Sequence, residues 1–347
     1  MAIPIGAAAP AHCVADYNDV NGRFFAPDKF FVVEVDQRGT GRSQPSVRED
    51  FQRMRRYADI SIGAMAADFE RVRESLGIER RLAFGGSWGS TLGLEYALTY
   101  PSRCLGLILR GIFLNTAAEF DAVYARKSFE ANPRRLTEFD TFFELATREV
   151  ARRGEPSLDL NDSERFVRVY EARVLLVLIA CVPRARAEAT AQQQATGAVR
   201  LPRPPRYNQV GGDRDAIWRF YVLENKLIED ASKLLDPLVI REEVFAEAQS
   251  VSFFESRLLL RGTFEEPVQV RPSPKAPCSG DEVGPEIFAQ QLVAELRHYG
   301  VPHTAYFFDA GHSAHSEAMS TRLKRCVDEF ASGAQMASEC DSIPSPR

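Results

Sequence analysis

A chain of 347 residues with 45% hydrophobic and 26% charged residues can bury a large core, so it reads as one big domain or a core carrying an insertion. A net charge of −5 gives no reason to expect a nucleic-acid partner, and no apolar run is long enough to cross a bilayer. The six cysteines, at 13, 104, 181, 278, 326 and 340, contain no Cys-x-x-Cys pair, which suggests neither a zinc site nor a disulfide framework and fits reduced thiols in a cytoplasmic protein.

The first residues are small and apolar but lack a basic segment, so a signal peptide is not expected. Phe30 to Val35 predicts a strand that runs into the Gly-punctuated loop Asp36-Gln37-Arg38-Gly39-Thr40-Gly41-Arg42-Ser43. That loop either lines an active-site face or is an ordinary turn whose Asp and Arg charges pair with each other. Met65, Phe69, Val72 and Leu76 fall on one face of a helix that stops at Gly77. An apolar strand, Leu82 to Phe84, then enters Gly85-Gly86-Ser87-Trp88-Gly89, and Thr91 to Thr99 continues as a helix halted by Pro101. Leu105 to Leu109 is a further buried strand.

Strand-turn-helix around Gly-x-Ser-x-Gly is the setting of a serine nucleophile held on a strained turn. Ser87 is therefore the candidate nucleophile, with the Trp88 amide at the new helix N-terminus as an oxyanion donor.

Beyond about Thr116 the pattern becomes helical, over Glu119 to Glu149 and Ser163 to Val182, as in a cap inserted into a sheet domain. The most apolar stretch, Val174 to Val182, is short and flanked by Arg173 and Arg184. Pro183 to Tyr207 is rich in Ala, Gln, Arg and Pro and is expected to form a mobile loop. The sheet is expected to resume near Leu258 to Leu260 or Val268 to Val270. A helix over Pro285 to Tyr299, a strand over Thr304 to Phe308, a last helix over Glu317 to Phe330 and a frayed tail follow.

A serine nucleophile needs a base within hydrogen-bond reach and a carboxylate to orient that base. Among the histidines after Ser87, His298 and His303 read as surface residues, while His312 follows a strand on a Gly-His loop and is preferred, with His315 as its rival. For the acid, Asp281 opens a helix 31 residues before His312, and Glu265 beyond the run Arg257-Leu-Leu-Leu-Arg261 competes with it.

These pieces together resemble the proline iminopeptidases, serine peptidases of the α/β-hydrolase fold. The matching segments are Phe24-Phe25-Ala26-Pro27-Asp28, the Asp36 to Ser43 loop, Gly85 to Leu92, Leu109-Arg110-Gly111-Ile112-Phe113 and Ala310-Gly311-His312-Ser313-Ala314. Ala216 to Glu224 resembles the family's Trp-x-x-Trp-Glu segment, and Phe245-Ala-Glu247-Ala its Arg-Ile-Glu segment, whose glutamate binds the substrate amine. The resemblance thus implies a Ser87, His312 and Asp281 relay and places Glu224 and Glu247 on the substrate's free amine. Its most serious departure is that the family's His-Gly-Gly-Pro-Gly loop, which completes the oxyanion hole, has no counterpart before Phe24. The first strands of the sheet are accordingly expected to be missing, and the chain to be a shortened enzyme or an impaired one. The family's Gly-Arg-Tyr-Asp is also absent, since Ser279 and Gly280 precede Asp281.

The expected architecture is an α/β-hydrolase core over residues 1–115 and 258–335, a helical cap over 116–257 and a flexible tail over 336–347. The expected function is release of N-terminal proline from short peptides, without metal or organic cofactor and without nucleic-acid or membrane partners. The sequence leaves the oligomeric state open. Other readings are a hydrolase of a different ester or amide and a catalytically impaired homologue that binds.

Overall fold

The computed structural model describes residues 2–4, 22–47, 56–57, 60–126, 130, 133–159, 161–165, 167–170, 214–228, 235–260, 286–307, 314, 316–333 and 340–341. Its centre is a parallel sheet of three strands in the order β1 (Ala2–Pro4), β2 (Arg81–Ser87) and β3 (Cys104–Ile112). Ala2 pairs with Leu82 and Pro4 with Phe84 on one side of β2, and Arg81 pairs with Cys104 through to Ser87 with Ile112 on the other. Strand β1 is only three residues long, so the sheet is small for an α/β core.

Between Phe30 and Val35, where a strand was expected, only Val32 makes a bridge. An apolar run favours a strand, but a ladder also needs a partner in register.

The strand period decides what each face of β2 buries. Ala83 packs into the larger core with Met65, Phe69, Trp88, Leu92 and Tyr96, while Leu82 and Phe84 join Phe24, Phe25, Phe30, Ile108, Leu323 and Val327 on the other face. Helix α1 (Ile62–Ser75) turns Ile62, Met65, Ala66, Phe69 and Arg73 inward at helical spacing. Ser61 caps it by accepting from the Ala64 amide at 3.2 Å, and Gly77, at φ +64°, lets the chain leave its C-terminus. Helix α2 (Trp88–Thr99) follows β2 without a linker.

A buried polar cluster sits where these elements meet. Arg73 holds Glu70 at 2.6 and 2.9 Å, and Tyr96 donates to Glu70 at 2.7 Å. The fully buried Arg81 guanidinium lies 3.5 Å over the Tyr96 ring and makes no hydrogen bond among the described residues. The Tyr96 phenol is pushed up to about 12, chiefly by burial and then by its bond to Glu70.

The larger core continues into the helical region. Helix α3 (Ala117–Tyr124) is followed by α4 (Pro133–Arg152), helical turns over 163–165 and 167–170, α5 (Arg214–Ile228) and α6 (Phe245–Leu259). Phe142 stacks on Tyr170 at 3.8 Å between ring centroids and packs against Phe220 at 5.9 Å. Arg219 of α5 donates to the Thr141 carbonyl of α4 at 2.6 Å, and Ser252 of α6 donates to the Ile217 carbonyl of α5 at 2.9 Å.

The expected strand at Leu258 to Leu260 is corrected by α6, which runs through Leu259. Three consecutive leucines carry no period of their own. They continue a helix whose Val251, Phe254 and Leu258 are buried at i, i+3 and i+7. The alternative restart, Val268 to Val270, and the expected mobile loop over 183–207 lie outside the described residues.

Helix α7 (Glu286–His298) precedes β4 (Ala305–Tyr306), and α8 (Glu317–Ala331) covers the second core with Leu323 and Val327. Within the region expected to be a flexible tail, β5 (Cys340–Asp341) pairs with β4 in a separate parallel sheet of two strands. Among the described residues no helix is long and apolar enough to cross a membrane.

Candidate active site

Ser87 is the last residue of β2 and the N-cap of α2, and its backbone stands at φ 53°, ψ −123°. Positive φ in a non-glycine residue costs of order 1–3 kcal/mol and persists only where the surroundings enforce it. Enforcement comes from the glycines. A Cβ on Gly85 would overlap the Gly89 carbonyl, so strand and helix can meet at this sharp turn only through two bare backbones. A Cβ on Gly86 would meet the Arg110 side chain at 2.6 Å, a contact a flexible guanidinium can vacate. Gly85→Ala is accordingly expected to destabilise the protein by about 3 kcal/mol and Gly86→Ala by less. Thermal melts of the two variants check this, and equal midpoints would contradict the close approach.

Side chains of α2 hold the turn from below. Ser90 donates to the Ser87 carbonyl at 2.5 Å and accepts from the Phe113 amide at 2.9 Å, and Thr91 donates to the Phe113 carbonyl at 2.5 Å. The hydroxyl of Ser87 takes no part in capping, and the residue is 6% exposed. Trp88 is the first residue of α2, so its amide has no acceptor within the helix. Its indole nitrogen is buried with no hydrogen-bond partner among the described residues. The described residues thus place a serine hydroxyl beside a helix N-terminal amide.

The Asp36 to Ser43 loop is stitched differently from either sequence-based reading. Arg38 does not pair with Asp36; it grips Asp68 of α1 with two bonds of 2.6 and 2.7 Å and donates to the Ala64 carbonyl at 3.2 Å. Asp36 accepts from the Arg42 amide at 2.8 Å, and Ser43 donates to the Asp36 carbonyl at 2.6 Å. Gly39, at φ +82°, lies under α6, where a Cβ would come within 2.5 Å of the Phe254 ring. The loop thus seats the helical region on the sheet domain.

Of the remaining candidates, Asp281, His312 and their rivals Glu265 and His315 lie outside the described residues. Ala314, two residues after His312, is buried in the core that contains Leu82 and Phe84 of β2. His298 is exposed at the end of α7, and the His303 ring bonds to the Val301 carbonyl at 2.8 Å.

Glu224 is buried on α5, where Tyr124 of α3 donates to it at 2.5 Å. The carboxyl it faces belongs to Glu255 of α6, which is 1% exposed and, protonated, donates to Glu224. Burial pushes Glu224 up to about 7, and burial followed by repulsion from Glu224 holds Glu255 well above the usual carboxylate range. The Tyr124 phenol is also raised by burial and by both carboxylates, which keeps it a donor. Glu247 stands elsewhere: it is half-buried on the first turn of α6 and accepts from Tyr221 at 3.2 Å.

Glu255 is the site residue that sequence reasoning passed over. Its signal was a carboxylate directly after Phe253 and Phe254, between Val251 and Leu258. Among the described residues no cluster of His, Cys, Asp and Glu could hold a metal ion.

Residues 12–149 match the alpha/beta hydrolase fold family. The chain is similar to a proline iminopeptidase of Neisseria meningitidis, with 51% identity over 96 residues, 28% of each chain. It is 46% identical over 92 residues to a probable proline iminopeptidase of Leptolyngbya boryana, covering 26% of each. Against a proline iminopeptidase of Arabidopsis thaliana it is 41% identical over 104 residues, 30% of this chain and 25% of the relative. The matched segment thus spans between a quarter and a third of the length of these relatives.

Proposed function

From the premise of an α/β-hydrolase fold similar to the proline iminopeptidases, we propose that this chain is a serine aminopeptidase that releases N-terminal proline from short peptides. The observation that carries this reading is the backbone of Ser87, strained on a strand-to-helix turn with a free helix N-terminus beside it. Ser87 attacks the carbonyl of the first peptide bond, its hydroxyl proton passes to His312, and the Trp88 amide holds the oxyanion. Asp281 orients the imidazole. The burial of Ala314 against the β2 face supports a place for His312 near Ser87, because only two residues separate them in the chain.

Recognition of the amine falls to the helical region. A cationic prolyl nitrogen meets in Glu224 and Glu255 two buried carboxyls with no ion pair among the described residues, and Tyr124 fixes one of them. Such charge-assisted bonds in a water-poor pocket favour substrates with a free amine. Glu247, on the same helix as Glu255 but two turns nearer its start, stays a candidate for the outer part of this pocket. Cytoplasmic peptides are the substrates this reading suggests, with no cofactor required for the chemistry.

The test compares proline-β-naphthylamide with its N-acetylated form. Cleavage of the free amine at least 100-fold faster is expected, since a blocked amine leaves buried carboxyls unpaired. Equal rates would favour the alternative of a hydrolase that does not read an amine. No cleavage of either, together with no labelling of Ser87 by a fluorophosphonate, would favour a binding role.

A further inference from the structure

The four residues Phe113 to Thr116, between β3 and α3, are bonded to the helix that follows Ser87, to α3 and to α6. Phe113 is held through its amide and carbonyl by Ser90 and Thr91, and Ser90 in turn bonds to the Ser87 carbonyl. Thr116 caps α3, with Glu119 accepting from the Thr116 amide at 3.0 Å and from the Leu114 amide at 2.9 Å. That helix ends at Tyr124, the donor to Glu224.

Between them lies Asn115, 1% exposed and at φ +57°. Its Nδ2 donates to the Leu258 carbonyl of α6 at 3.2 Å, 143 positions away in sequence. Leu258 follows Glu255 by three residues, so carbonyl and carboxyl lie on the same side of α6. The carbonyl belongs to the last turn of the helix, where it also accepts from the Leu260 amide. A continuous run of hydrogen bonds and one short connector therefore links the Ser87 backbone to the helix that carries Glu255.

We propose that Asn115 is a positioning residue that fixes the Glu224 and Glu255 carboxyl pair relative to Ser87, and so sets discrimination for a free amine one residue from the scissile bond. The inference rests on the aminopeptidase reading above. It explains why a non-glycine residue is kept in the left-handed region at this point: Asn tolerates that conformation and carries an amide donor, whereas glycine supplies the first property without the second.

The experiment uses the full chain and two variants. Asn115→Gly keeps the backbone conformation and removes the donor; Asn115→Asp keeps the shape and presents an acceptor to the Leu258 carbonyl. For both, kcat/KM with proline-β-naphthylamide is expected to fall about tenfold, mainly through KM. The rate at which an amine-free fluorophosphonate labels Ser87 is expected to stay within about twofold. Parallel loss of labelling and turnover, or full retention of both, overturns the role of Asn115. If Asn115→Gly does not fold, Asn115→Asp decides alone. A parent chain that cleaves free and N-acetylated substrates equally, or neither, overturns the aminopeptidase reading itself, and the role of Asn115 falls with it; that arm is read without any variant.

Discussion

Replacing Ser87 by alanine is expected to lower turnover of a prolyl substrate by about 10³- to 10⁶-fold, the range found when a serine nucleophile is removed from a working relay. The substitution is clean because the Ser87 hydroxyl caps no helix and the residue's positive φ costs alanine about as much as serine. The thermal midpoint should therefore move by no more than about 2 °C, the shift that follows from a surface-sized change of about 0.5 kcal/mol. Mass spectrometry after fluorophosphonate treatment should find the adduct on Ser87 in the parent and none in the variant. Retained turnover in the alanine variant would remove Ser87 from the chemistry. What survives in the variant measures the oxyanion donors and binding alone, so the residual rate also reports how complete the oxyanion hole is around the Trp88 amide.

The second large effect is expected at the carboxyl pair, where Glu224→Gln and Glu255→Gln should each lower kcat/KM for a free-amine substrate by about 100-fold while leaving fluorophosphonate labelling nearly unchanged. The pair also predicts a pH dependence whose sign follows from burial. In the unfolded chain a glutamate releases its proton near 4.5, whereas burial raises Glu224 to about 7 and holds Glu255 high as well. Above pH 4.5 the folded state therefore binds more protons than the unfolded one, and stability falls as pH rises through this window. Glu255→Gln removes the titrating group that burial and Glu224 hold protonated, while the glutamine amide can still donate to Glu224. Its midpoint should exceed that of the parent at pH 8 and match it near pH 5.

Substrate binding runs the other way, because an ammonium group favours the ionised pair and expels its proton. KM for the prolyl substrate should consequently fall between pH 5 and 8 in the parent and change less in Glu255→Gln. A KM independent of pH, or a variant destabilised at pH 8, would contradict the placement of the amine between these carboxyls. Glu247→Gln provides the comparison within α6. Its exposure and its bond to Tyr221 predict a smaller loss than at Glu255.

The nucleophile turn was legible in the chain because its determinants are local: an apolar strand, two glycines that allow backbones to touch, and a helix that starts at the next residue. The same holds for α1, whose period and Gly77 stop are contained within about 16 residues. From such local signals the sequence by itself determined an α/β core with a strained serine at a strand end, and a change to helices after it.

Partnership at long range could not be read that way. Arg38 finds Asp68 rather than its neighbour Asp36, because α1 brings that carboxylate against the loop. The leucines after Arg257 complete a helix because α5 and the Gly39 loop pack on it. Glu224 is joined by Glu255, not by the more exposed Glu247, because the pairing depends on which turn of α6 faces α5 and α3. Periodicity tells a residue which face it occupies, but the charge, depth and identity of what lies across that face are set only when distant segments pack, and the desolvation that gives this carboxyl pair its chemistry arises at the same step.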